Sequence, residues 1–190
     1  MFQRGSFVIL FIFGVAAVMA GYAVYSHYQQ GRRCLAFWGS ETANLIHQAP
    51  LVELFVLAEP GEGAALDKDV VTVGKHQFLF KKRLNVSKIP GLIHARHPFV
   101  ADDSFDWSSI NDVESQAKEP IVWTHALRFS EGSRSVVLLL DFASRYVQNA
   151  EDQSRIRMVP AMNNSEQKFW IKQLAIFDSI RESMPATQRK

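Results

Sequence analysis

The stretch FVILFIFGVAAVMAGYAVY, residues 7–25, contains only apolar residues, glycine and tyrosine, and it carries no charge. Arg4 precedes this stretch, and Arg32 and Arg33 follow it. A helix of this length spans about 28 Å, which is close to the hydrocarbon thickness of a bilayer. The sequence therefore predicts a membrane anchor over residues 1–30, with a single transmembrane helix at about 7–25, and one domain over residues 31–190.

A cleaved secretory signal is the main alternative for the same residues. Arg4 supplies the basic start, and Val18, Met19 and Ala20 resemble a cleavage site. The apolar stretch continues beyond Ala20 to residue 25, however, and a retained anchor accounts for its full length. Tyrosines at the end of the stretch suit a membrane–water interface. We therefore favour a retained membrane anchor that contacts lipid through residues 7–25. A cleaved secretory signal and a buried core helix are the less favoured interpretations of the same residues.

The basic residues that flank the apolar stretch give little information on orientation. Arg4 and the terminal amine stand on one side, and Arg32 and Arg33 on the other. A short N-terminal tail before a signal-like helix usually stays inside while the long C-terminal part crosses. The expectation is a single-pass membrane protein whose soluble domain lies outside the cytoplasm.

The remaining residues suffice for one domain with its own core. The chain has 21 Lys and Arg against 19 Asp and Glu, and this balance argues against nucleic-acid binding. A single cysteine, Cys34, excludes an internal disulfide and is expected to be an inert, partly buried thiol. No segment carries the signature of a known family, and no cofactor is expected.

Local patterns after the anchor predict an α+β domain with terminal helices around a mainly antiparallel sheet of five to seven strands. A helix is expected over 31–48, ended by Pro50, although Gly31 and Gly39 both allow a bend. A second helix is expected over 164–184, capped by Asn164, with an apolar stripe made of Trp170, Leu174, Phe177 and Ile180.

Six strands are predicted between these helices, and four of them form two hairpins. LVELFVLA at 51–58 is a strand of residues that favour β structure, closed by a Pro-Gly pair. Strands 70–73 and 76–81 are joined by a tight turn, and strands 121–129 and 135–142 by a glycine-containing loop. The apolar segment 136–140 is expected to be a central strand covered on both faces. Another strand is predicted over 155–159, before Pro160.

The segments between these hairpins are harder to interpret. Residues 84–99 contain prolines and a glycine and predict at most one irregular strand. Residues 102–120 predict an exposed loop, with a short helix after Trp107 as an option. A long loop inside a compact domain often carries function, so we expect variable binding surface there.

The best candidate metal ligands are two histidines followed by three aspartates: His94, His97, Asp102, Asp103 and Asp106. Imidazole and carboxylate groups bind divalent metals, and a turn can bring residues three apart together. Arg96 stands between the histidines and would repel a cation, so solvent-exposed loop residues are the simpler interpretation.

Other signs of catalysis are weak. His125 lies within a predicted strand, where a structural role is the simpler interpretation. The chain contains no G-x-S-x-G, G-x-G-x-x-G or G-x-x-x-x-G-K-[ST] motif. The strongest charge cluster contains Lys81, Lys82 and Arg83, followed by Lys88 and Arg96. It suits either anionic lipid headgroups or a solvated strand end, and the solvated end is favoured.

The sequence thus predicts a membrane-tethered, non-catalytic domain that binds another envelope or membrane protein. One alternative is a metal-assisted hydrolase that uses His94, His97 and a nearby aspartate. Another is a carrier of a small ligand or lipid, which would need an apolar cavity lined by residues such as Phe78, Phe80 and Leu138.

Overall fold

A computed structural model describes residues 4–29, 31–58, 70–73, 76–110, 121–152 and 154–183. Five α-helices lie in these ranges: α1 Arg4–Gln29, α2 Arg32–Trp38, α3 Ser40–Gln48, α4 Leu92–Arg96 and α5 Pro160–Ser183. Short 3₁₀ helices cover His97–Val100, Asp102–Ser104 and Trp107–Ile110. The eight strands are β1 Leu51–Leu57, β2 Val70–Val73, β3 His76–Asn85, β4 Phe105–Asp106, β5 His125–Glu131, β6 Arg134–Asp141, β7 Tyr146–Asn149 and β8 Arg155–Met158.

The described strands form one sheet in the order β2-β3-β1-β5-β6-β7-β8-β4. Every ladder between these strands is antiparallel. The predicted α+β class is therefore confirmed, with an N-terminal apolar helix and a sheet packed against helices. The predicted strand number was too low, since β4 and β7 were missed.

The helices after α1 contribute to the core on one face of the sheet. This large cluster includes Trp38 and Ile46 of the early helices and Trp170 of α5, packed with sheet residues such as Leu54 and Leu138. The strand residues that alternate with these point to the opposite face, where Phe55, Phe80, Val137, Leu139 and their neighbours form a smaller buried cluster. The segment 136–140 is buried throughout, as predicted for a strand covered on both faces.

Helix α1 carries the apolar stretch. Among the described residues it is the one helix long and apolar enough to cross a membrane, and a signal sequence near the N-terminus has the same properties. None of Val8–Tyr25 is buried against the rest of the chain. The helix therefore takes no part in the core of the domain, and a buried core helix is excluded as its interpretation.

The helix predicted over 31–48 is divided in two. Gly39 ends α2 and begins α3 with φ 78° and ψ 155°, a conformation that is essentially restricted to glycine. Gly31 precedes α2 with φ 83°, and the two positive φ values lie at the glycines where the sequence allowed a bend. The bends let α3 pack against β5 and β6 and α2 pack against α3 and the following 3₁₀ helices, with Cys34 and Ile46 both inaccessible.

Two predictions between β3 and β5 were wrong. Residues after Asn85 hold α4 and a 3₁₀ helix instead of an irregular strand, and Leu92 and Phe99 bury the apolar side of this region. Residues 102–110 form 3₁₀ turns around β4 in place of an exposed loop, and Phe105 and Ser109 are buried. The optional short helix after Trp107 is present as a 3₁₀ helix. The remainder of the predicted functional loop, 111–120, lies outside the described residues.

Three other boundaries also moved. Strand β3 extends to Asn85, because it pairs with β1 as well as with β2. Strand β5 begins at His125 and not at residue 121. Helix α5 begins at Pro160, so Asn164 lies inside the helix and does not cap it. The residues of the predicted turn at 74–75 are outside the described part of the chain, although the two strands pair as predicted.

Candidate functional site

The five candidate metal ligands do not form a metal site. His94 and His97 are exposed on and after α4, and Asp103 is also exposed. The Asp106 carboxylate accepts hydrogen bonds from the backbone N–H and hydroxyl of Ser108 at 3.2 and 2.6 Å. Within the described residues, no three His, Cys, Asp or Glu side chains come close enough to hold a metal ion.

Asp102 instead holds the start of α2 against the domain. Its carboxylate accepts hydrogen bonds from the backbone N–H groups of Arg33 and Cys34, at 3.1 and 2.8 Å. These N–H groups belong to the first turn of α2, which has no cap from its own side chains. A residue almost seventy positions away thus caps this helix, a role that local sequence pattern does not reveal.

Two tryptophans strengthen the same junction. The Trp38 indole donates to the carbonyl oxygen of Phe99 at 2.9 Å, and the Trp107 indole donates to the carbonyl oxygen of Asp102 at 2.6 Å. Phe37 contacts both indoles edge to face, with ring centroids 4.6 and 6.2 Å apart. Helix α2, which follows α1 in the chain, is therefore fixed to the domain by hydrogen bonds and aromatic packing.

Cys34 and His125 have structural environments. Burial raises the pKa of the Cys34 thiol, and the nearby Asp102 carboxylate adds to this effect, so the reactive thiolate is disfavoured. Burial lowers the pKa of His125, whose ring lies 2.9 Å from the Thr124 hydroxyl and edge to face with Phe142. Neither residue stands beside an arrangement of groups typical of nucleophilic catalysis.

Two members of the basic cluster predicted from the sequence, Lys82 and Arg83, form ion pairs within the domain. Lys82 forms an ion pair with Asp178 of α5. Arg83 and Arg128 both contact the carboxylate of Glu53, which is buried on β1. Lys82 and Arg83 therefore contribute to internal contacts and do not form a free patch for lipid headgroups.

A groove lies beside Gly31 at the start of α2. It has a volume of about 780 Å³ and extends from Gly31 along α3. Leu35 contributes exposed apolar surface, while Glu41 and Arg134, 3.9 Å apart, provide charges of both signs. We refer to this surface as the junction groove.

A second concavity lies at the other end of α3, between Gln48 and the turn from β3 into α4. This cleft has a volume of about 430 Å³. Its titratable residues are Lys88, His94 and Arg96, and no Asp or Glu among the described residues lines it. We refer to it as the basic cleft.

Comparison with known protein families, with curated proteins and with solved structures finds no match for this chain. Its function is therefore argued from its own residues and surfaces.

Proposed function

We propose that this chain is a single-pass membrane protein whose domain over residues 31–190 binds another membrane or envelope protein through the junction groove. The anchor is the first support. Helix α1 exposes apolar side chains along Val8–Tyr25, and such a surface is unfavourable in water. Lipid around α1 would remove this cost.

The short connection between α1 and α2 supports a domain held close to the bilayer. Helix α1 ends at Gln29, and α2 begins at Arg32. Three residues of extended chain reach about 10 Å at most. Because α2 is fixed to the domain through Asp102 and Trp38, the surface around Gly31 would stay near the membrane.

The chemistry of the junction groove suits a protein segment. Leu35 offers an apolar contact, and Glu41 and Arg134 offer hydrogen-bonding partners of opposite charge. Mixed apolar and polar surface of this kind is typical of protein interfaces, whereas nucleic acid requires a basic excess. The position of the groove at Gly31 carries the proposal, because a partner bound there would lie at the membrane surface.

The two alternative functions receive less support. A metal-assisted hydrolase would need His94, His97 and an aspartate to converge, and they do not form a cluster. A carrier would need Phe80 and Leu138 to line one cavity, but Phe80 packs in the small cluster and Leu138 in the large cluster on the other face. The side chain of Phe78 lies outside the described part of the structure.

A photo-crosslinking experiment in intact membranes tests the proposal. A photoreactive residue at Leu35 should give a discrete adduct of higher mass with a second protein. Ile176 on α5 provides a matched control, because Leu35 is 49% exposed and Ile176 is 43% exposed. No protein adduct at Leu35, or the same adduct from both positions, would contradict the assignment of the groove.

A substitution then tests whether the contact is required. Leu35→Glu places a charge on the apolar part of the groove and should abolish formation of the complex, whereas Ile176→Glu should leave it intact. Both variants change an exposed side chain, so both are expected to fold. Complex formation is measured by crosslinking at a fixed level of membrane-bound protein.

A further inference from the structure

The basic cleft contains a buried cation without an acidic partner. Arg96 is buried, and its Nη1 and Nη2 atoms both donate to the carbonyl oxygen of Ala49, at 2.9 and 3.3 Å. Its Nε atom is buried and has no hydrogen-bond partner. Among the described residues, no carboxylate lies within ion-pair distance of this guanidinium.

This arrangement is costly in the absence of a bound anion. Burial lowers the pKa of Arg96, because desolvation disfavours the charged guanidinium. A buried donor without a partner adds a further desolvation cost. The buried carboxylate of Glu53, by contrast, contacts two arginines. Within the part of the chain that the structure describes, Arg96 has no such compensation.

We propose that the basic cleft binds a small oxyanion, namely a phosphate or phosphomonoester group. Arginine is suited to phosphate because its planar guanidinium presents several N–H donors. Lys88, which is exposed at the cleft, supplies a second charge, and His94 supplies a third donor. The cleft is larger than a phosphate ion, and Ile89 and Ile93 provide apolar wall for an organic group attached to it.

This inference is independent of the junction groove. The residues that line the two concavities are entirely different, although both concavities border α3. The oxyanion could belong to a soluble phosphomonoester or to the headgroup of an anionic phospholipid. Both sources share the same phosphate chemistry, and a binding experiment can distinguish them.

The test uses the full chain in nanodiscs of phosphatidylcholine, titrated with inorganic phosphate and with glycerol 3-phosphate at constant ionic strength. Binding is followed by calorimetry and by the shift in thermal unfolding temperature. A second arm uses nanodiscs that contain phosphatidylglycerol and no free phosphate. Lys88→Glu is the main variant because Lys88 is exposed and its replacement should not affect folding, and Lys168→Glu on α5 is the matched control.

Saturable binding in either arm, weakened at least about fivefold by Lys88→Glu but unchanged by Lys168→Glu, would support the proposal. Binding to free phosphate identifies a soluble ligand, and binding confined to phosphatidylglycerol identifies a headgroup. Arg96→Gln should abolish binding where the variant folds. Absence of binding in both arms, or equal losses in the two lysine variants, would overturn the proposal.

Discussion

Single residues explain several features of this domain, and Glu166 is the clearest case. Glu166 lies on the buried face of α5, and its carboxyl group accepts a hydrogen bond from the Trp170 indole at 2.8 Å. Burial raises its pKa to about 8, although the hydrogen bond opposes this shift. The folded domain therefore holds Glu166 in its neutral form at a pH where an unfolded chain would ionise it.

The first prediction concerns the pH dependence that follows from Glu166. Between about pH 4.5 and pH 8 the Glu166 carboxyl group keeps its proton in the folded state and loses it in the unfolded state. The stability that protonated Glu166 contributes is therefore complete below about pH 4.5. It falls by about 1.4 kcal/mol per pH unit up to about pH 8. Glu166→Gln removes this term and can still accept the hydrogen bond from Trp170. The difference in unfolding free energy, variant minus wild type, should therefore increase between pH 5 and pH 8. If the unfolding free energies of the two proteins changed with pH in the same way, the raised pKa of Glu166 would be contradicted.

The second prediction concerns the cap on α2. Asp102→Ala removes the acceptor for the N–H groups of Arg33 and Cys34, and it should lower the unfolding free energy by about 1–2 kcal/mol. Asp102→Asn keeps an acceptor oxygen, so its unfolding free energy should fall by less than that of Asp102→Ala. Asp103→Ala is the neighbouring control, because Asp103 is exposed, and it should be nearly neutral. Chemical denaturation of the full chain in detergent gives all three values.

At the scale of elements, the ion pairs of Glu53 connect three strands. Glu53 on β1 contacts Arg83 on β3 and Arg128 on β5, and both arginines also lie over the ring of Phe55. The Glu53 side chain is 4% exposed, against 53% for Arg83 and 29% for Arg128. The carboxylate is thus the group that depends on its partners, since both arginines can reach water.

The third prediction follows from this asymmetry. Arg128→Met leaves a buried carboxylate with one exposed partner, and it should cost about 2–4 kcal/mol of unfolding free energy. Glu53→Gln leaves two arginines that can reach water, so it should reduce the unfolding free energy by less than Arg128→Met does. Arg134→Met is the control, because Arg134 and its partner Glu131 are both exposed, and it should change the value by less than about 1 kcal/mol. An equal or larger loss for Glu53→Gln would contradict this account of the three strands.

The elements also show what could be read from the sequence. The strand at β1, the hairpin of β5 and β6, and β8 were predicted because their composition and turn residues are distinctive. Strand β7 was missed because its turn contains no glycine: Arg145 adopts φ 64°, and Asp141 accepts hydrogen bonds from Ala143 and Ser144. A turn closed by a side chain in this way gives little signal in a single sequence.

Contacts between distant residues account for the other errors. The 102–110 region resembles an exposed loop because it is rich in Asp and Ser, but tertiary contacts order it: Asp102 caps α2, and β4 pairs with β8. The sequence predicted Arg96 as a residue that would repel a metal and as the end of a solvated basic cluster, whereas the structure buries it against Ala49, far away in the chain. The candidate sites are formed by such contacts and could not be predicted from local pattern.

At the scale of the whole molecule, the short connection at Gly31 would determine how the domain meets the membrane in the proposed tether. Gly31 has φ 83°, and a Cβ atom at this position would lie 3.3 Å from the carbonyl oxygen of Val100. Glycine therefore allows the chain to enter α2 while packed closely against Val100. The proposed function depends on this close packing, since in the proposed tether it would hold the junction groove near the bilayer.

The fourth prediction concerns the side of the membrane. The domain is expected outside the cytoplasm, so an alkaline phosphatase fused to the C-terminus should be active in a bacterial host. A green fluorescent protein fused at the same point should remain dark after export in unfolded form. The opposite pattern would place the domain in the cytoplasm and would contradict the expected orientation.

The most direct test of the central claim is a fractionation of the native chain followed by intact-mass analysis. The proposed tether predicts that the protein stays with the membrane pellet after washes with high salt and alkaline carbonate, and that its mass includes residues 7–25. A protein recovered in the aqueous fraction and shortened near Ala20 would show that the segment is a cleaved signal, and would contradict the tether.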